Sequence, residues 1–589
     1  MKTTWNLKLL YNSPNDPNIE KDIKKSKRLV SAFCRKWEDD SRYTKNSKVL
    51  KEALDDYEKL ILSNPFCDKP LYYLALKNSL NQTDIDVKAK MNKVGDIATK
   101  LYNEIQFFEL NISKIPIEKQ KKLLTSPVLK EYKHFLERIF LLSKYLLTEK
   151  EEKIFTLTSK TSHSNWVSMM DELLDKQLLK VNHGGKKKIT IPYNEVNKYL
   201  DSKEKKVRDY VVKKYNEVNN RYLEIAEFEI NSVLESKKIS DEYRGIPRPD
   251  LTRHISDDID SKVVDTLVEA VSNNFNIPRD FYKLKAKLLN QKKLGYYERN
   301  VPLGDVDMEY TFNDGMKLVK DTLYDLDSEF GAIFNRFVNE GQVDVFPKTN
   351  KSGGAYCTSP EKTLPTFILL NHTDRLNDVL TIAHESGHGI HSEMSKVQNS
   401  LNCNYPISLA EVASIFFEDF VLEEILKNSD EETKFSILTQ KLNSDISSVF
   451  RQVAFYNFET ELHTEFKKRG YLSKEYISDM FCKHMRSYMG DTVLQDDSMK
   501  TGWIYVGHFR RFFYVYSYAS GLLISKALQS MVREDKKNIS LVKKLLSSGS
   551  TQSPKDLFKG MGIDIMDKDF WNRGIIEIEK SLKEIKLKN

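Results

Sequence analysis

Two histidines four residues apart, His384 and His388, constrain this chain more than any other stretch. The segment His384-Glu385-Ser386-Gly387-His388 has the HExxH pattern, and that pattern has chemical sense only on a helix. At 3.6 residues per turn, positions i and i+4 share one face, so both imidazoles reach one metal ion. Glu385 sits beside the first ligand, where it can hold a metal-bound water and take its proton. Upstream, Leu376, Val379, Leu380 and Ala383 recur at i, i+3, i+4 and i+7, the stripe of an amphipathic helix packed on a core. Continued, the same helix carries both histidines. A buried helix with two hydrogen-bonded core histidines is the competing reading of this segment taken alone.

A zinc site needs a third protein ligand. His391 is on the same face but about 10 Å farther along a straight axis, and Zn–N bonds are about 2 Å. One straight helix therefore cannot supply all three. Met394 stands where the metzincin spacing requires a histidine, which excludes that class. The next predicted helix, Ser408 to Glu418, places Glu411 among small and apolar residues. A carboxylate there needs a cation or hydrogen-bond donors. It is equally a helix-entry carboxylate favoured by the dipole, and the two roles are compatible. Glu418 is seven residues on, where it either orients a histidine ligand or is a plain exposed charge.

The chain resembles the oligoendopeptidase F branch of the thimet oligopeptidase family. The resemblance rests on His384-Glu385-Ser386-Gly387-His388 and on Leu409-Ala410-Glu411-Val412-Ala413-Ser414-Ile415-Phe416-Phe417-Glu418. Further matches are Trp5-Asn6-Leu7, Tyr282 to Lys287, Val301-Pro302-Leu303, and the stretch from Gly353 to Gly521. It implies a mainly α, elongated helical metallopeptidase with an internal substrate channel and a small β-sheet beside the zinc helix. It implies one Zn2+ per chain, held by His384, His388 and Glu411, with Glu385 as general base and Glu418 behind a ligand. Ser386 departs from the family, which carries a bulky apolar residue there; an altered packing contact is expected.

Two segments gain meaning from the resemblance. Gly353-Gly354-Ala355-Tyr356 precedes Thr366 to Leu370, a short apolar run that reads as a strand. By itself it is an ordinary loop before a buried strand. The family uses a strand edge here to pair with the substrate backbone. The second segment, Trp503 to Gly521, is an aromatic stripe, which by itself reads as core. The family places an oxyanion-stabilising histidine and tyrosines here. His508 matches the histidine and Tyr518 the tyrosine, with Tyr514 as an alternative catalytic match and Tyr516 as a substrate contact.

Composition narrows the partners. The 92 basic and 85 acidic residues leave a net charge of +7, a mixed and solvated surface with no nucleic-acid module. Lys186-Lys187-Lys188 is the nearest thing to a basic patch. Five dispersed cysteines without CxxC spacing suit a reducing cytoplasm. The N-terminus shows no apolar signal core, and no run approaches the ~18 residues of a membrane span. Helical patterns cover 17–62, 86–110, 127–150 and 193–237. Breakers fall at Ser113 to Pro116, His183-Gly184-Gly185 and Gly245 to Pro249, and Leu178–Val181 could pair with Ile189–Ile191 as a hairpin. A soft boundary near 190 separates an N-terminal helical region, 1–190, from a catalytic part, 191–589; the first includes an oligoendopeptidase F-like N-terminal domain at about 110–190.

The expected function is zinc-dependent hydrolysis of internal bonds in short peptides. The alternatives are a carboxypeptidase or dipeptidase on the same scaffold, for which Arg510 or Arg511 would bind the terminal carboxylate, and an inactive peptide-binding homologue. Oligomeric state is not legible in the sequence.

Overall fold

The computed structural model describes residues 1–183, 187–304 and 309–587. Gly184, Gly185 and Lys186, part of one breaker and of the basic run, lie outside the described residues. The chain is mainly helical and forms two compact units, each assembled from three stretches. The first comprises Met1–Lys144, Asp307–Asn428 and Met531–Ile563, and the second Tyr145–Val306, Ser429–Ser530 and Asp564–Asn589. Residue 190 lies inside the second unit.

The first unit begins with helices Pro17–Trp37, Ser47–Leu62, Asp68–Leu80 and Ile85–Ser113. The pattern over 17–62 is two helices, because Asp40 caps a separate 3-10 turn and Asn46 then caps the second helix through the amides of Lys48 and Val49. Their apolar faces meet around Phe33, Tyr57 and Phe108, whose rings lie 4.8–5.7 Å apart. That core extends to Leu364, Phe367 and Leu369, so the N-terminal helices cover one side of a small sheet.

The sheet has three short strands in the order Val343–Asp344, Phe367–Leu369, Tyr356–Thr358. The central strand is parallel to the first and antiparallel to the third, with Cys357 opposite Ile368. The expected strand at Thr366 to Leu370 is thus the central one, and Tyr356–Thr358 is an edge. A buried ion pair fixes the other side: Lys351 Nζ is 2.8 Å from Asp344 and also donates to the carbonyls of Phe346 and Leu370.

Helix Leu376–Ser395 carries the histidine motif. Asp378 starts it by accepting from the amides of Thr373 and Arg375. Leu376, Val379 and Ala383 are buried as the stripe requires. Helix Ile407–Lys427 crosses it closely, and Gly387 permits the approach: a Cβ there would lie 2.6 Å from Ser414 Cα and 2.8 Å from the Ala413 carbonyl oxygen.

The second unit is organised by the 40-residue helix Lys205–Arg244, which ends where Gly245 adopts a left-handed φ of +66°. The hairpin is present, as Leu178–His183 paired antiparallel with Lys187–Pro192. Helices Gln452–Arg469 and Lys474–Met489 follow as an antiparallel pair joined at Gly470.

Candidate metal centre

The side chains of His384 and His388 project from one face of their helix, with ring centroids 5.0 Å apart. Glu411, in the first turns of the crossing helix, brings one carboxylate oxygen to 3.5 Å from His384 Nε2 and 3.6 Å from His388 Nε2. All three donor atoms lie within 4.8 Å of one another. Donors about 2 Å from one tetrahedral ion are about 3.3 Å apart, so the two nitrogens and one oxygen fit a metal such as zinc. Among the described residues this is the one such cluster. His391 is outside it: fully buried, its ring stacks on Tyr405 at 3.5 Å. That agrees with the distance argument made along the helix axis.

Glu418 lies behind the cluster. Its carboxylate is 3.0 Å from His384 Nδ1. An Nδ1–H that donates to Glu418 leaves the Nε2 lone pair facing Glu411 and His388, the tautomer a metal ligand needs. His388 is held from the backbone of Ala410. The charges are strongly coupled. Burial opposes a charged His384, but the carboxylates of Glu411 and Glu418 outweigh it and push the ring up to about 10. Burial also raises Glu411, yet His384 and His388 bring it down to about 2. Three carboxylates around two imidazoles make a site whose charge balance favours a cation.

Glu385 faces the same cavity, of about 500 Å3, as the three donors. Burial, with the Glu411 charge adding to it, raises Glu385 to about 6 against the pull of His384, and the backbone of Cys357 hydrogen-bonds it. Ala355, Tyr356, Cys357 and Thr358 line the cavity too, so the edge strand runs beside the donors. Gly353 and Gly354 are not among its lining residues. They form the arc leading into the strand, Gly354 at φ +70°, pinned by the Asn371 side-chain amide, which donates to the carbonyls of Ser352 and Gly354 at 2.9 and 2.7 Å. Ser386 is buried on another face of the helix, outside the cavity lining.

Sequence reasoning missed Ser392 and Tyr405, which line the cavity and hydrogen-bond each other at 3.2 Å. Ser392 is i+4 from His388, a spacing that could have found it. Tyr405 precedes Pro406 in a connection and gives no periodic signal.

The aromatic segment belongs to the second unit. His508 Nε2 is 3.1 Å from the Tyr518 hydroxyl, and the Tyr514 ring lies 6.0 Å from His508 and 5.4 Å from Tyr518. Between them Phe512 and Phe513 take φ of +47° and +55°, a conformation that costs bulky side chains of order 1–3 kcal/mol each. Buried Glu459 holds the turn by accepting the Phe513 amide at 2.8 Å. Two expectations are corrected here. Tyr516 is no substrate contact: it is fully buried, and its hydroxyl donates to Asp257 at 2.6 Å. Arg510 is not available to a peptide carboxylate, because it is buried and forks onto Glu229.

A cluster of three metal-donor side chains is set between two helices, beside an edge strand. By class this is a metallopeptidase. Comparison with known families agrees. The model of peptidase family M3 matches residues 198–576, and that of oligopeptidase F matches residues 111–175. The chain belongs to peptidase family M3. It is 27% identical to an oligoendopeptidase F homolog of Borreliella burgdorferi over 99% of this chain and 97% of the relative. It is also 27% identical to the oligopeptidase PepF of Bacillus subtilis, over 99% of this chain and 86% of that protein. A crystal structure of a putative peptidase from Chlamydophila abortus shares the fold at a TM-score of 0.88 and 24% identity, covering 99% and 98% of the two chains. The oligoendopeptidase-F from Enterococcus faecium does so at 0.68 and 19%, covering 97% of each.

Proposed function

We propose that this chain is a zinc-dependent endopeptidase that hydrolyses internal bonds of short peptides. The observation that carries the reading is the shared cavity: His384, His388, Glu411, Glu385 and the edge strand Tyr356–Thr358 all face it. The relatives' names, oligoendopeptidase F and oligopeptidase, support the substrate class.

His384, His388 and Glu411 would hold the ion, and Glu418 would fix the His384 tautomer. When bound, zinc supplies Lewis acidity, lowering the pKa of a water towards neutrality and polarising the scissile carbonyl. The outer edge of Tyr356–Thr358, where the Cys357 backbone meets Glu385, would pair with the substrate backbone and align it. Glu385 takes the proton of the attacking water and delivers it to the leaving nitrogen. A carboxyl lifted towards neutrality, as Glu385 is, suits both halves of that transfer. On the resemblance, His508 and Tyr518 donate to the developing oxyanion, with Tyr514 as the alternative donor. All these residues fall in the proposed catalytic part, 191–589.

Five free thiols favour a reducing compartment, and the cytoplasm is the proposed location. No helix among the described residues is long and apolar enough to cross a membrane. Arg510 is committed to Glu229, which leaves the exposed Arg511 as the cation of the carboxypeptidase reading.

The test is Glu385→Gln. It should retain its metal by elemental analysis and lose about 10²–10⁴-fold in turnover of an internally quenched peptide. A variant that cleaves at the wild-type rate removes Glu385 as the base. With a C-terminally blocked peptide the wild-type protein should still cut internally; products formed only from free C-termini would establish the carboxypeptidase instead.

A further inference from the structure

A second cavity, of about 580 Å3, lies in the second unit among residues that the peptidase reading does not use. Helix Asn276–Leu288 contributes Arg279 and Lys283, one turn apart. The following loop gives Lys292 and Lys293, and helix Lys474–Met489 gives Lys483 and Arg486. Asp491 is the single carboxylate among the lining residues. The chain as a whole is nearly balanced, 92 basic against 85 acidic residues, so six cations to one acid is a local departure. A surface cavity in the first unit shows the contrast: Lys45, Lys114 and Lys119 there face Glu38 and Asp39.

Local ion pairs do not cancel the charge. Lys483 pairs with Glu461 at 2.7 Å and Arg486 with Asp491 at 2.5 Å. Asp280 serves Lys586 at 2.9 Å and reaches Lys283 only at 3.7 Å. Among the described residues no carboxylate pairs with Arg279, Lys292 or Lys293.

The walls are fixed by backbone contacts. The Leu294 amide donates to the Thr492 carbonyl and the Leu494 amide to the Leu294 carbonyl, at 2.9 and 2.8 Å, tying the two loops together. Arg279 closes the end of the second helix by donating to the Ser487 carbonyl from Nε and Nη2, at 3.0 and 2.5 Å. Gly490, at φ +72°, makes the turn beneath it, where a Cβ would meet the Arg279 side chain at 3.1 Å.

We propose that this cavity binds a compact polyvalent phosphate. Six cations in one concavity, three of them (Arg279, Lys292 and Lys293) with no carboxylate partner among the described residues, focus a positive potential that a polyanion relieves. Guanidinium and ammonium groups are the usual phosphate donors. The size suits a small ligand. Among the described residues no aromatic side chain lines the cavity, so a nucleobase finds no stacking platform there and the phosphate chain is what is recognised.

Calorimetric titration of the full chain with sodium tripolyphosphate at low salt should give one saturable site, weakened as salt rises. The paired change Lys292→Glu with Lys293→Glu should lower its affinity at least tenfold, and Lys292→Ala with Lys293→Ala should lower it less. Lys114→Glu with Lys119→Glu makes the same change of net charge in the other cavity and should leave affinity within about twofold. ATP should bind within a few-fold of tripolyphosphate, and AMP should not saturate. Without added phosphate, the Lys292/Lys293 variants should cleave peptide at the wild-type rate. No saturable binding, or equal weakening by the two charge-reversed pairs, overturns the proposal; so does ATP binding tenfold tighter than tripolyphosphate.

Discussion

At the level of single residues, the proposed centre has a carboxylate set behind its donors. Glu418 acts on His384 alone, through one hydrogen bond at 3.0 Å. Partners of this kind are worth about 10–100-fold in metal affinity elsewhere. Glu418→Ala should therefore weaken zinc binding by that factor in a chelator competition while the helices keep their circular dichroism. Unchanged affinity would show that the Ala410 contact and helix packing already orient the ligands. Glu459 makes a different case. Its burial pushes the carboxyl from an ordinary 4.5 up to about 8, against the Phe513 amide and then Lys237 and Arg510, which pull it down, and with Asp250 pushing it up. Between those pH values the folded chain keeps a proton that the unfolded chain has lost. Stability from this group is complete below pH 4.5 and drains away as pH rises through 8. Glu459→Gln keeps an acceptor for the Phe513 amide without that loss. Its stability relative to wild type should grow by on the order of 3 kcal/mol from pH 5 to pH 8.5 in urea unfolding. Parallel pH curves for the two proteins would refute the shift.

At the level of elements, the centre is a crossing of two helices, and Gly387 sets how closely they cross. Adding a methyl group there drives it into the backbone of Ala413 and Ser414, which cannot swing aside as a side chain can. Gly387→Ala should destabilise the protein by about 1–3 kcal/mol. It should also weaken metal binding, because the helix bearing Glu411 must retreat from the one bearing the histidines. A melting temperature and zinc affinity equal to wild type would mean the helices relax at no cost. Much of this was legible in the sequence. The stripe from Leu376 to Ala383 and the i, i+4 histidines follow from helical periodicity, a local property. The separation of Tyr516 from Tyr518 was not. Two positions on a helix differ by about 200° in direction, and which faces the core depends on the phase with which the helix starts. The left-handed Phe512–Phe513 turn sets that phase, and the groups that hold it lie far along the chain: the buried acceptor on Glu459, over fifty positions earlier, and the rings of His463 and Tyr456.

On the scale of the whole molecule, each compact unit returns to the chain three times, so neither is a contiguous half. All three donor residues and Glu418 belong to the first unit. Metal binding stabilises what it binds by about 4 kcal/mol when free ion exceeds its dissociation constant a thousandfold. Stripping the ion with a chelator should speed amide hydrogen exchange in helices Leu376–Ser395 and Ile407–Lys427 more than in Lys205–Arg244 of the second unit. Equal acceleration everywhere would show that the ion governs global unfolding, and no change would show that the centre adds nothing to stability.

By itself the sequence determined the shared face of the two histidines, the mainly helical class and the small strand behind the motif. Those rest on short-range periodicity and residue type, which a linear reading exposes. Tertiary structure decided that Glu411 stands 3.5 Å from His384 Nε2 and Glu418 3.0 Å from its Nδ1. It also decided that Arg510 is spent on Glu229 and that six cations share one cavity. Each of these joins segments separated by turns and crossings, whose directions are set by packing against residues far along the chain and not by the local pattern.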